Sequence, residues 1–168
     1  NKNDAISDVF FGTDYHSHLG TRRAGIAAYD SEIGLQREIH NIANSPFRTK
    51  FDHIFDDMRG TSAIGCISDY DPQPLLIRSR LGTYAICFVG LINNYQILID
   101  RYFDTSCGGH FDAMTGGKVN SVELVAALIN QKSDFADGIK FAQREIDGTA
   151  SIIILRDNGH IIAARDRL

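Results

Sequence analysis

Apolar residues recur along the chain at two different spacings. Ile6, Val9, Phe10 and Tyr15 follow a helical spacing and predict a helix over residues 6–19, with Ser7 or Asp8 as caps and Gly20 as a stop. Phe47, Phe51, Ile54, Phe55 and Met58 repeat that spacing after Pro46 and predict one helix over residues 47–58. Further helices are predicted over residues 94–103, from Asn120 to about Gln131, and over 134–145. Asn120-Ser121-Val122-Glu123 has the form of a capping box: a side-chain oxygen at the N-cap and a carboxylate three residues on.

The other segments read as strands. Residues 25–29 and 33–38 suit a hairpin, and 61–67 a separate strand. Residues 75–78 and 84–89 pair around Arg80-Leu81-Gly82-Thr83. Residues 149–156 and 160–165 flank Asp157-Asn158-Gly159, where an Asn-Gly step supplies the positive φ angles of a type I′ turn. Residues 69–74 form a loop because Pro72 and Pro74 remove donors and fix the backbone. Residues 106–120 read as a Gly-rich loop with a short strand at His110-Phe111. Hairpins and separately grouped helices are α+β organisation.

Composition narrows the class. The chain has 168 residues, 43% hydrophobic, enough for one globular domain with a sizeable core. Its net charge is −4 and no basic run occurs, which argues against nucleic acid as a partner. The longest apolar runs are strand-length, so no membrane span is expected. The chain opens at Asn1 without Met and ends on Arg167-Leu168 straight after a strand-like run, which reads as a piece of a longer protein. Cys66, Cys87 and Cys107 are odd in number and widely spaced, against a disulfide framework or zinc site and in favour of the cytoplasm. Cys66 and Cys87 lie in apolar runs and read as inert small hydrophobes; Cys107, in a loop, reads as the more accessible thiol.

Three ordered blocks then resemble one family. Residues 10–27 run from Phe10-Phe11-Gly12 through His18-Leu19-Gly20 to Ala24-Gly25-Ile26-Ala27. The second block runs from Ala63-Ile64-Gly65 through Pro72-Gln73-Pro74-Leu75 to Gly90 and Asn94. The third runs from Asp147-Gly148-Thr149-Ala150-Ser151 to Ala163-Ala164-Arg165-Asp166-Arg167-Leu168. Together they resemble the type-II glutaminase domain of the amidophosphoribosyltransferases. The resemblance implies an N-terminal-nucleophile hydrolase fold: four layers, αββα, with two antiparallel sheets between helices. It also implies a single glutaminase-like domain over residues 1–168, no cofactor in it, a phosphoribosyltransferase domain downstream and a homo-oligomer.

In that family an N-terminal Cys attacks the glutamine amide, with its own α-amine as base. An Asn side chain and a Gly N–H stabilise the oxyanion, an Arg holds the substrate carboxylate and an Asp its ammonium. Carried over by position, the nucleophile falls upstream of Asn1, outside this chain. The Arg position holds Ser68, the Asn position Val89 and the Asp position Ser121. Gly90 keeps the backbone donor, whereas Val89 has no side-chain donor. The expectation is a glutaminase domain whose activity is lost or altered. Two alternatives stay open: a non-catalytic module sensing a small amino acid (glutamine or another) or a nucleotide, and an active hydrolase of another amide or peptide bond using an upstream Cys. Elsewhere His16 and His18 read as helix histidines rather than ligands, and Arg22-Arg23 as a salt-bridging turn rather than a substrate clamp. The Asp71-Pro72-Gln73-Pro74 segment reads as a rigid crossover rather than a lid.

Overall fold

The structure, a computed structural model, describes residues 4–20, 22–105 and 109–166. Cys107 and the terminal Arg167-Leu168 lie outside the described residues. Helix α1 (Ala5–His16) begins earlier than the pattern predicts, because Asp4 rather than Ser7 or Asp8 caps it: its carboxylate accepts from the Ile6 N–H at 3.0 Å. The helix ends at His16, short of Gly20, where the Ser17 hydroxyl donates to the Asp14 carbonyl. Strand β1 (Arg23–Asp30) pairs with β2 (Gly34–Asn41) on one side and β3 (Ser62–Ser68) on the other. Between β1 and β2, Asp30 accepts from the Glu32 and Ile33 N–H groups, and these bonds hold its carboxyl below the usual carboxylate range.

The predicted helix over 47–58 is two short helices, α2 (Phe47–Phe51) and α3 (Ile54–Asp57). The break falls at Asp52-His53, where the His53 ring turns to Glu38 on β2. Strands β4 (Leu75–Ser79), β5 (Gly82–Ile92), β8 (Gly148–Arg156) and β9 (Ile161–Arg165) form the second sheet in the order β4-β5-β8-β9, all antiparallel. The β8–β9 loop is not type I′. Only Gly159 has positive φ, the Gly159 N–H bonds the Arg156 carbonyl, and Arg156 N–H bonds the His160 carbonyl. That is a three-residue loop, a turn closed by a left-handed glycine. No strand forms at His110-Phe111; a small hairpin, β6 (Met114–Thr115) with β7 (Lys118–Val119), forms a few residues later, in the stretch read as Gly-rich loop. Helices α4 (Tyr95–Thr105), α5 (Ser121–Ile129) and α6 (Phe135–Glu145) complete the chain.

Strand alternation sorts side chains into three apolar layers. Ala24, Ile26 and Ala28 of β1 meet Ile6, Phe10, Phe47, Phe51 and Ile54 from the first helices. Ala27, Ile64, Cys66, Ala85, Cys87 and Leu155 fill the space between the sheets. Tyr84, Ile86, Phe88, Ile152 and Ile154 meet α4, α5 and α6. The result is the expected αββα sandwich. Gly65 lets α1 lie flat on β3: a Cβ there would sit 2.0 Å from Thr13 Oγ1. No helix among the described residues is long and apolar enough to cross a membrane.

Candidate functional site

A cavity of about 1010 Å³ opens where α1, the end of β3, the end of β5 and the start of α5 converge. Ser68, Val89, Gly90 and Ser121 all line it, so the fold brings together the four positions singled out from sequence. Ser68 is the last residue of β3, Val89 and Gly90 lie near the end of β5, and Ser121 opens α5. They meet because the β3–β4 connection folds inward. The Gln73 side chain is buried and accepts the Phe88 N–H at 2.8 Å. Asn120 Nδ2 donates to the Pro72 carbonyl at 3.1 Å, and Asp71 Oδ2 accepts the Ser121 N–H at 3.2 Å. The segment is therefore a pinned crossover, and its Gln73-Pro74 bond is cis.

The start of α5 departs from the capping box. Asn120 is the N-cap and accepts the Val122 N–H at 2.8 Å. Glu123 does not reach back. Its carboxylate accepts the Asp112 and Ala113 N–H groups at 2.9 and 2.7 Å, and the Asn120 N–H bonds the Ala113 carbonyl instead. The incoming loop, folded onto the helix end, claims both groups. The remaining N–H at Ser121 falls to Asp71, whose negative charge suits a helix N-terminus.

Asp71 is the functional candidate that sequence reasoning missed. Only 8% of it is exposed, and its Oδ1 is buried with no hydrogen-bond partner. Unpaired buried carboxylate oxygens are costly and mark sites where a ligand or water belongs. Burial first, then Asp71 and Tyr70, raises the Tyr95 hydroxyl above its ordinary range. The signal in the sequence was faint: an acidic residue beside Pro72, in a loop read as a rigid crossover rather than as part of a binding site.

Among the described lining residues there is no Lys or Arg; the charged groups are Asp8, Asp69 and Asp71, and His16, Tyr70 and Cys66 are the other titratable side chains. Arg23 lies directly across from Ser68 in the β1–β3 register but does not line the cavity. Phe88 sends its N–H away from β8 to Gln73, and alternate residues of a strand point their N–H groups to the same side. Gly90 therefore directs its N–H to the side of the β3–β4 connection. Val89 is 59% exposed and presents only methyl groups.

The cavity continues into a slot between the sheets. One sheet has three strands and the other four, and β3 has no outer neighbour among the described residues. Facing that edge, Val89, Ile153 and Ile161 are exposed on the inner side of the second sheet. Cys66 and Cys87 sit deeper in the same layer as free, buried thiols. The hydrogen bond with Cys66, together with burial, pushes the Cys87 thiol well above its ordinary range, so it is a poor nucleophile.

Two solved structures share this architecture. One is glutamine phosphoribosylpyrophosphate (PRPP) amidotransferase from B. subtilis complexed with ADP and GMP, with TM-score 0.81 and 23% identity over 99% of this chain. The other is described as the allosteric regulatory enzyme of purine biosynthesis, with TM-score 0.78 and 23% identity over 95% of this chain. The chain spans about a third of each, 36% and 34%. No family model and no curated protein matches. The fold is the N-terminal-nucleophile hydrolase-like sandwich found in these amidotransferases.

Proposed function

We propose that this chain is the glutaminase-type domain of an amidophosphoribosyltransferase-like protein, and that its cavity has lost or altered the ability to process free glutamine. The observation that carries the second half is the charge of the cavity. Ser68 stands where a guanidinium would clamp the substrate carboxylate, and the described lining offers Asp8, Asp69 and Asp71 but no Lys or Arg. A charge-assisted hydrogen bond contributes about 1.5–3 kcal/mol, so its loss weakens glutamine roughly 10- to 150-fold. Val89 in place of an amide donor removes about another 100- to 1,000-fold in rate. In the proposed assembly a strand upstream of Asn1 adds to the β3 edge, which has no outer neighbour among the described residues, and covers Val89, Ile153 and Ile161. A phosphoribosyltransferase domain follows, the protein is a cytoplasmic homo-oligomer, and the nucleophile, where present, enters with the upstream strand. The domain itself needs no cofactor in this scheme.

The test is ammonia release from glutamine by the whole protein, with and without phosphoribosylpyrophosphate. Background-level release is expected. Robust release would overturn the reading, because the pocket would then clamp glutamine without the residues the chemistry calls for.

One observation favours the non-catalytic alternative, a small-molecule sensor. The cavity wall is rich in carboxylates, and Asp71 keeps one buried oxygen unpaired behind it; that wall fits an ammonium group better than a carboxylate. A thermal-shift screen of small amines against small acids separates the two cases, since a ligand that binds the native state raises its melting temperature.

A further inference from the structure

We propose that Glu38, His40 and His53 form a binding site for one divalent transition metal ion, best suited to zinc, which clips strand β2 to the α2–α3 turn. The three residues lie outside the cavity and none lines it. Their ligand atoms, two imidazole nitrogens and a carboxylate oxygen, all lie within 4.8 Å of one another. Glu38 and His40 are two apart on β2 and so share a face. That face looks toward the helices, because the register sets Glu38 opposite Ile26 and His40 opposite Ala24. The His40 ring is held edge-on against Phe51 with centroids 4.8 Å apart. His53 arrives from the break between α2 and α3, and its Nε2 lies 2.7 Å from Glu38 Oε1. His40 Nε2 approaches the same oxygen.

Two imidazole nitrogens converging on one carboxylate oxygen crowd two N–H donors together. A cation between them turns all three into acceptors. Bonds of about 2.0–2.2 Å set tetrahedral ligands roughly 3.3 Å apart. The cluster reaches that spacing by small rotations of half-exposed side chains, 20 to 43% accessible. The same exposure leaves a fourth position open to water. Asp52 lies 3.5 Å from His53 Nδ1, where a carboxylate orients a ligating imidazole. Two nitrogens and one oxygen suit Zn²⁺ or Co²⁺, whereas Mg²⁺ and Ca²⁺ prefer oxygen alone.

The experiment uses untagged, chelator-treated protein. Co²⁺ titration followed by visible absorbance should give one equivalent with a tetrahedral spectrum, displaced by Zn²⁺ and not by Mg²⁺. Zn²⁺ should raise the melting temperature. His40→Ala, His53→Ala and Glu38→Gln should each weaken binding at least tenfold, and His110→Ala should leave it unchanged. Histidine-ring NMR of the wild type needs no variant: Zn²⁺ should shift the His40 and His53 signals before those of the other histidines. Absence of stoichiometric binding would overturn the site and leave an ion-paired cluster. So would binding that survives in both histidine variants.

Discussion

Replacing Gly90 by alanine separates the packing role of that glycine from any part it plays in chemistry. A Cβ on Gly90 would lie 1.9 Å from the Thr149 carbonyl oxygen, 2.8 Å from its carbon and 2.9 Å from Phe88 Cζ. Ordinary contact starts at 3.4 Å, so the two strands must part by about 1.5 Å (3.4 less 1.9). The obstacle is the backbone of β8, the paired strand, and it cannot rotate away. Overpacking of this kind costs about 1–3 kcal/mol, and a backbone obstacle points to the upper end. For a chain of this size that lowers the melting temperature by roughly 6–12 °C. Val89→Asn is the matched control: Val89 is 59% exposed, so the change should stay within about 0.5 kcal/mol. Far-UV circular dichroism during thermal and urea unfolding reads both, the chain having no Trp. If Gly90→Ala unfolds within about 0.5 kcal/mol of wild type, the reasoning fails. A large loss would mean that glycine is required here by strand packing, so its presence is no sign of retained oxyanion chemistry.

The remaining predictions concern the pocket wall and the core. Ser68→Arg with Val89→Asn should confer measurable glutamine binding by calorimetry; no gain over wild type would remove charge as the explanation for lost function. Asp71→Asn keeps an acceptor for the Ser121 N–H but removes the charge, and should abolish binding of any amine found in the thermal-shift screen. An amine bound equally well by the variant would rule out Asp71 as its partner. Asn120→Ala removes the α5 cap and the tie to Pro72, and should cost about 2–4 kcal/mol, with Asn120→Asp recovering the cap share. Tyr84 is fully buried, and burial pushes its hydroxyl up to about 12. The stability this confers is present below the unfolded value near 10 and is lost as pH rises through about 12, a swing of roughly 3 kcal/mol. The wild-type minus Tyr84→Phe difference in urea stability should fall across that window, and a flat difference would refute the assignment.

The sequence by itself determined the features that depend on neighbours a few residues away. Strand periodicity, the α5 N-cap at Asn120 and the glycine in the β8–β9 loop all act within one turn or hairpin, and each is where the pattern puts it. The order of hairpins and helix pairs indicated α+β organisation and no more; the αββα sandwich was legible through the resemblance of the three ordered blocks. Tertiary structure decided what depends on groups far apart in the chain. Glu123 leaves its expected partner because Asp112 and Ala113 arrive with unpaired N–H groups. The helix over 47–58 breaks at His53, whose ring turns to Glu38, fifteen residues earlier. Asp71 reads as a loop residue until the crossover buries it against α5. Ser68, Val89, Gly90 and Ser121 were named from the resemblance, but the acid-rich wall around them was not. Its carboxylates come from α1 and from the β3–β4 connection, and only folding brings them together. Hydrophobic spacing sets which face of an element is buried; which polar groups meet there depends on distances that only the folded chain fixes.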